Sequence, residues 1–156
     1  MAFIPQKGSL RLVSAAEDMT VKVWDLVLGS EIATIRGGSS GRATCFAFSS
    51  DYKTLMIGFR DGSISFFNTQ KEFQMMHELK CDTSLGFVSD EEEVNALIYL
   101  NFNSQTSYLA VAVSSGRLAV IDLSTMQPCY HEDHADYIKS ETTHLFLRKK
   151  VGSPLG

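Results

Sequence analysis

The sequence predicts an all-β chain built from repeated four-stranded antiparallel units. Three observations carry this expectation. Strand-like alternation runs through the 156 residues, as in Val94, Ala96, Ile98, Leu100 and Phe102 set against Asn95, Leu97, Tyr99 and Asn101. The runs are separated by Gly, Asp, Ser and Asn, which suit tight turns. No segment shows an apolar helical stripe sustained over three turns.

Taken in order, the strand candidates are residues 10–16, 20–26, 31–37, 43–49, 54–59, 63–68, 73–79, 94–102, 108–114, 117–123 and 143–149. Residues 73–79, "FQMMHEL", contain good helix formers, but their place in the repeat argues for a strand. "AFIP" near the N-terminus reads as the end of a first strand.

Three segments align: "SAAEDMTVKVWDL", "GFRDGSISFFN" and "AVSSGRLAVIDL". Asp18, Asp61 and Ser115 share one position, Trp24, Phe67 and Ile121 a second, and Asp25, Asn68 and Asp122 a third. The interval from Trp24 to Phe67 is 43 residues, and that from Phe67 to Ile121 is 54. A period near 43 with four strands per unit matches a propeller blade. The extra length of the second interval lies around "CDTSLGFVSDEEE", residues 81–93, an insertion expected to vary as a surface loop without disturbing the blades.

"LVSAAEDMTVKVWDL" resembles a WD-repeat blade, with Ser14 on the second strand, Asp18 in the turn and Trp24-Asp25 closing the third strand. The resemblance implies that Ser, Asp and Trp join a His from the preceding loop in a hydrogen-bonded tetrad. It extends to the second blade through Gly58, Asp61, Gly62 and Phe67, and to the third through its strand pattern and Asp122. Gly37-Gly38 replaces the family's Gly-His before the second blade, so no complete tetrad is expected there. The implied blades are approximately 3–37, 43–80 and 94–130, with the start of a further blade at 143–150. Three blades and a strand do not close a ring of about four to eight blades, which points to a fragment, a truncated gene product or a short isoform.

A more particular resemblance is to the transducin-beta-like WD-repeat proteins of the UtpB subcomplex of the small-subunit processome. It rests on Pro128-Cys129-Tyr130 and Thr143-His144-Leu145. It implies a nucleolar, non-enzymatic scaffold in pre-rRNA processing, with other WD-repeat subunits as partners and RNA reached through the complex. The alternative within the family is an adaptor in a signalling or ubiquitin-ligation complex.

Composition fits this reading. Eighteen acidic and 14 basic residues give a net charge of −4, not the balance of a broad basic nucleic-acid face. Cys45, Cys81 and Cys129 form no Cys-x-x-Cys pair and read as thiols in a reducing compartment. The N-terminus lacks the pattern of a signal peptide, and no apolar run reaches the roughly 18 residues of a membrane span, so a soluble intracellular protein with no membrane partner is expected.

Motifs with possible chemistry all have plain readings. "RGGSSGR", residues 36–42, lacks the Gly-Lys-Ser/Thr ending of a P-loop and reads as an inter-blade loop. His131 and His134 of "HEDHAD" would be the metal ligands of a propeller enzyme, but two His at this spacing do not define a tetrahedral site. The basic "LRKK" at 147–150 reads as an exposed strand end. No cofactor, small-molecule substrate or catalytic residue is expected. Asp90, Glu91, Glu92 and Glu93 form a candidate interaction run expected to project from one rim toward a basic partner, with Ser89 a candidate phosphosite for an acidophilic kinase.

Overall fold

Twelve strands form three four-stranded antiparallel meanders in chain order. The computed structural model describes residues 1–6, 9–36, 41–82, 85, 92–101 and 106–132; residues 2–6, 9 and 130–132 enter through their backbone. The first sheet comprises β1 (Ala2–Gln6), β2 (Ser9–Ala15), β3 (Thr20–Asp25) and β4 (Ser30–Arg36). The second comprises β5 (Ala43–Phe48), β6 (Thr54–Phe59), β7 (Ser63–Asn68) and β8 (Gln74–Lys80). The third comprises β9 (Val94–Asn101), β10 (Ser107–Val113), β11 (Leu118–Asp122) and β12 (Gln127–Glu132). These are blades of an incomplete propeller. The further strand expected at 143–150 lies outside the described residues.

The core follows from strand alternation, which sends successive side chains to opposite faces. The middle strands of the second sheet, β6 and β7, are buried on both faces, which is why "LMIGF" of β6 reads as a continuous apolar run. Leu55, Ile57, Phe59 and Phe67 pack with Val13, Val21, Val23 and Ile35 of the first sheet. Met56, Ile64 and Phe66 pack with Leu109, Val111 and Ile121 of the third. Each fully buried large apolar side chain contributes about 1.5–3 kcal/mol relative to exposure. Gly58 faces the third sheet, and a Cβ there would lie 2.6 Å from both Val94 Cγ1 and Cys45 Sγ. Its lack of a side chain lets β9 approach, and the Thr44 hydroxyl then donates to the Val94 carbonyl.

Backbone irregularities repeat with the sequence. A register shift falls between Val23 and Trp24, between Phe66 and Phe67, and between Val120 and Ile121, at one position of each sheet. Such bulges strengthen local twist, which stacked blades require. A positive φ precedes the fourth strand of each sheet, at Gly29, Phe73 and Met126. Another occurs in each turn between second and third strands, at Met19 (φ 65°), Gly62 (φ 80°) and Gly116 (φ 86°).

The insertion is less free than expected. Cys81 and Leu85 are buried in the core between second and third sheets, and the Cys81 N–H donates to the Gly62 carbonyl at 2.8 Å. Burial, reinforced by Asp82 and Glu92, pushes the Cys81 thiol up to about 12.

Two stability outcomes follow. Gly58→Ala should destabilise the chain by about 1–3 kcal/mol in urea unfolding, because a methyl is forced into Val94 and Cys45. Met19→Gly should stabilise it by up to about 1 kcal/mol, since Met19 alone among its repeat equivalents carries a Cβ in the left-handed region. Met19 is exposed, so little packing is lost with its side chain.

Candidate functional site

The residues singled out by the repeat lie at blade junctions and turns. Ser14 and Trp24 sit on adjacent strands β2 and β3, and the indole Nε1 donates to Ser14 Oγ at 2.9 Å. A half-buried indole N–H is thereby satisfied. Lys22 Nζ lies 5.6 Å from the Trp24 ring and pairs with Glu31 at 2.8 Å.

Asp18 does not join this pair. Its Oδ1 accepts from the Thr20 N–H at 3.0 Å and the Thr20 hydroxyl at 2.7 Å. Those bonds hold the Asp18 carboxyl below the usual carboxylate range. Asp61 does the same for Ser63, at 3.0 and 2.6 Å. At the other end of the third strand, Asp25 accepts from Val27 and Leu28, Asn68 from Gln70 and Lys71, and Asp122 from Ser124. These carboxylates and the amide are turn-formers that fix hairpin register.

Register shows what became of the Trp–Ser pair in later blades. Trp24, Phe67 and Ile121 lie opposite Leu12, Leu55 and Leu109. By the same register Ser14 corresponds to Ile57 and Val111. Phe67 with Ile57, and Ile121 with Val111, are buried apolar residues of the two junctions. Both members of the polar pair are replaced together, which strands no polar group at these two positions.

The acidic run departs from expectation. Glu92 is only 4% exposed. Its Oε2 accepts from the Ser115 N–H at 3.1 Å and the Ser114 hydroxyl at 3.2 Å, and Oε1 lies 3.8 Å from Arg117 Nη1. Glu93 pairs with Arg60 of the second sheet, and its N–H donates to Ser114 Oγ at 3.1 Å. Neither residue projects freely from the rim: Glu92 is turned inward because a turn lacking its own carboxylate lies beside it. Asp90, Glu91 and the candidate phosphosite Ser89 lie outside the described residues.

Glu92 stands two residues before β9, as Gly41 stands two residues before β5. A Cβ on Gly41 would lie 2.8 Å from Asp61 Oδ1, so this position abuts the turn in both blades. In the second blade Asp61 supplies the carboxylate and the loop supplies glycine. In the third the turn has Ser115 and the loop supplies Glu92. Gly37 and Gly38, which replace the family's Gly-His pair, lie outside the described residues. The carboxylate exchanged between positions 61 and 92 was the available signal.

His131 lies on β12 opposite Ala119, and His134 is outside the described residues. Among the described residues no group of three or more His, Cys, Asp or Glu is placed to hold a metal ion.

Comparison with known proteins follows this geometry. The family model for the WD domain, G-beta repeat, matches residues 2–25 and 29–68. The angio-associated migratory cell proteins of Homo sapiens and Canis lupus familiaris are 31% and 30% identical to this chain over 131 residues, covering 78% of it and 30% of each relative. The chain therefore spans under a third of the length of these relatives. A structure of U3-55K and a crystal structure of RRP9 WD40 repeats each superpose with a TM-score of 0.64 at 21% identity. They cover 81% of this chain, which covers 36% and 35% of theirs, and show the fold.

Removing the Glu92 carboxylate as Glu92→Ala should cost about 1–3 kcal/mol in urea unfolding, by unpairing the turn groups it holds. Adding Ser115→Asp to that variant should recover part of the loss, because an aspartate there caps its own turn in the first two blades. A loss below about 0.5 kcal/mol, the range of ordinary surface changes, would show that Glu92 does not hold the turn.

Proposed function

We propose that this chain, which the WD-domain family model matches at residues 2–25 and 29–68, is a WD-repeat protein and a non-enzymatic protein-interaction scaffold. The observation that carries the reading is where the polar groups of the repeat are used. Asp18, Asp25, Asp61, Asn68 and Asp122 all cap turns, and Ser14 holds Trp24. Groups committed to turns in this way build a rigid surface. Function then resides in the rims and blade junctions.

The scaffold serves ribosome biogenesis in the nucleolus, in assembly of the small-subunit processome and processing of pre-rRNA. Support comes from the Trp24-Asp25 blade and the Pro128–Tyr130 strand, which resemble the transducin-beta-like proteins of the UtpB subcomplex. Its partners are other WD-repeat subunits, with RNA contacted through the complex. The second reading is an adaptor in another intracellular assembly, such as a signalling or ubiquitin-ligation complex; the relatives at 30–31% identity are named for cell migration and not for ribosome assembly.

An affinity-tagged chain purified from cells should bring down other WD-repeat proteins, ribosome-assembly factors and nucleolar RNA. Recovery of cytoplasmic signalling partners with no ribosome-assembly factor would overturn the ribosomal role and select the adaptor reading. Recovery of no protein at all would overturn the scaffold.

A further inference from the structure

The two blade junctions are built from the same repeat positions, but at the end where the second strand of each blade begins one is filled and the other is open; the cleft of about 530 Å³ at the first junction lies at the opposite end, beside Met19, Gly41 and Asp61. Arg11 pairs with Asp25 across β2–β3, and Thr54 pairs with Asn68 across β6–β7. Arg11 and Thr54 are therefore equivalent. Each stands two residues before a buried residue of its junction, Val13 or Met56, and so faces the following blade.

In the first junction the Arg11 side chain enters between the sheets. Its Nε is out of solvent and without a hydrogen-bond partner, and its Nη1 lies 3.5 Å from the Thr69 carbonyl oxygen. Thr69 and Leu123 are equivalent in turn: each follows the turn residue, Asn68 or Asp122, and donates its N–H to the start of its blade, to Lys53 O at 2.9 Å and Ser107 O at 3.0 Å. In the second junction Thr54 is too short to repeat the reach of Arg11. A cleft of about 460 Å³ opens there between the second and third sheets. Buried Met56 and Phe66 line it, with Tyr99 and Leu123 from the third sheet and Asp51 from the second. No Lys or Arg lines it among the described residues.

We propose that this cleft receives an arginine side chain from a partner protein, which completes the second junction as Arg11 completes the first. The guanidinium takes the Leu123 carbonyl as Arg11 takes that of Thr69, and also meets the Asp51 carboxylate. Asp51 Oδ1 caps Lys53 N–H at 3.1 Å, while Oδ2 lies 3.5 Å from Lys53 Nζ in a pair more than half exposed, so it exchanges readily. The arginine stem lies against Met56 and Phe66, and the planar head suits the face of Tyr99. A lysine offers neither the planar fork nor the stacking. This deepens the scaffold reading by naming partner chemistry, and rests on it only for the partner being a protein.

The test is an NMR titration of the purified chain with N-acetyl-arginine amide and, separately, N-acetyl-lysine amide. The arginine probe should give saturable shifts at the Leu123 and Ser124 amides, several-fold tighter than the lysine probe. Thr54→Arg should fill the cleft from within, as Arg11 does, and abolish the response. Asp51→Asn, which keeps an oxygen to cap its turn, should weaken it several-fold and stands in if Thr54→Arg does not fold. Absence of saturable shifts, equal affinity for lysine, or an undiminished response in either folded variant would overturn the proposal. Partner recovery from cells tests the scaffold separately, since a chain that fails to bind arginine can still assemble through other surfaces.

Discussion

The middle strands of the second sheet, β6 and β7, have no solvent face, and most of the molecule answers to that constraint. Leu55, Ile57 and Phe59 turn to one neighbour, Met56 and Gly58 to the other. A slip of one residue in β6 would exchange these sets, driving Phe59 toward Val94 where only a glycine fits. Register must therefore be held at both ends of every hairpin. The Asp and Asn side chains that accept from turn N–H groups do this locally, within a few residues of the strand ends. Conserving the turn chemistry while letting the strands vary in detail is what such a stacked architecture demands.

Much of this was legible in the sequence because it is periodic. Trp24, Phe67 and Ile121 share a spacing, and the structure gives them the same cross-strand partner position and the same adjacent bulge. The turn aspartates were equally visible, since an Asx turn is made within about three residues. What escaped was non-local. "SDEEE" reads as a solvated run because its composition says so, yet Glu92 is buried by the Gly62 turn of one blade and the 114–117 turn of the next. A Cβ on Gly62 would lie 2.6 Å from the Glu92 carbonyl oxygen, so the packing that buries Glu92 depends on a residue 30 positions away. Cys81, a buried free thiol as its isolation in the sequence suggests, and Leu85 anchor the insertion through contacts that are equally non-local. Length and charge describe a loop, but not which of its residues anchor it.

The difference between Arg11 and Thr54 was also invisible in the sequence, although both residues were in plain view. Neither belongs to a motif, and an Arg in one strand beside a Thr in another carries no signal until register shows that they are equivalent. Repetition then makes one junction a control for the other. The filled junction shows what the open one lacks, which makes it more informative than the shape of a cleft alone.

Repeat equivalence also explains how a blade can lose its marker and keep its fold. The Trp24–Ser14 bond lies on the face of the first sheet that no other described sheet covers, and Trp24 is half-buried there. A polar pair suits such a place, because a strained or broken bond can be replaced by water. The corresponding pairs, Phe67 with Ile57 and Ile121 with Val111, lie in dry junctions. There an indole and a hydroxyl would need exact geometry with no solvent to fall back on, while two apolar side chains need only fit. Changing one member alone would strand a polar group at a cost of about 1–3 kcal/mol. Changing both removes the requirement. The degenerate second and third blades are thus coherent substitutions at linked positions, and the polar signature persists where water is near.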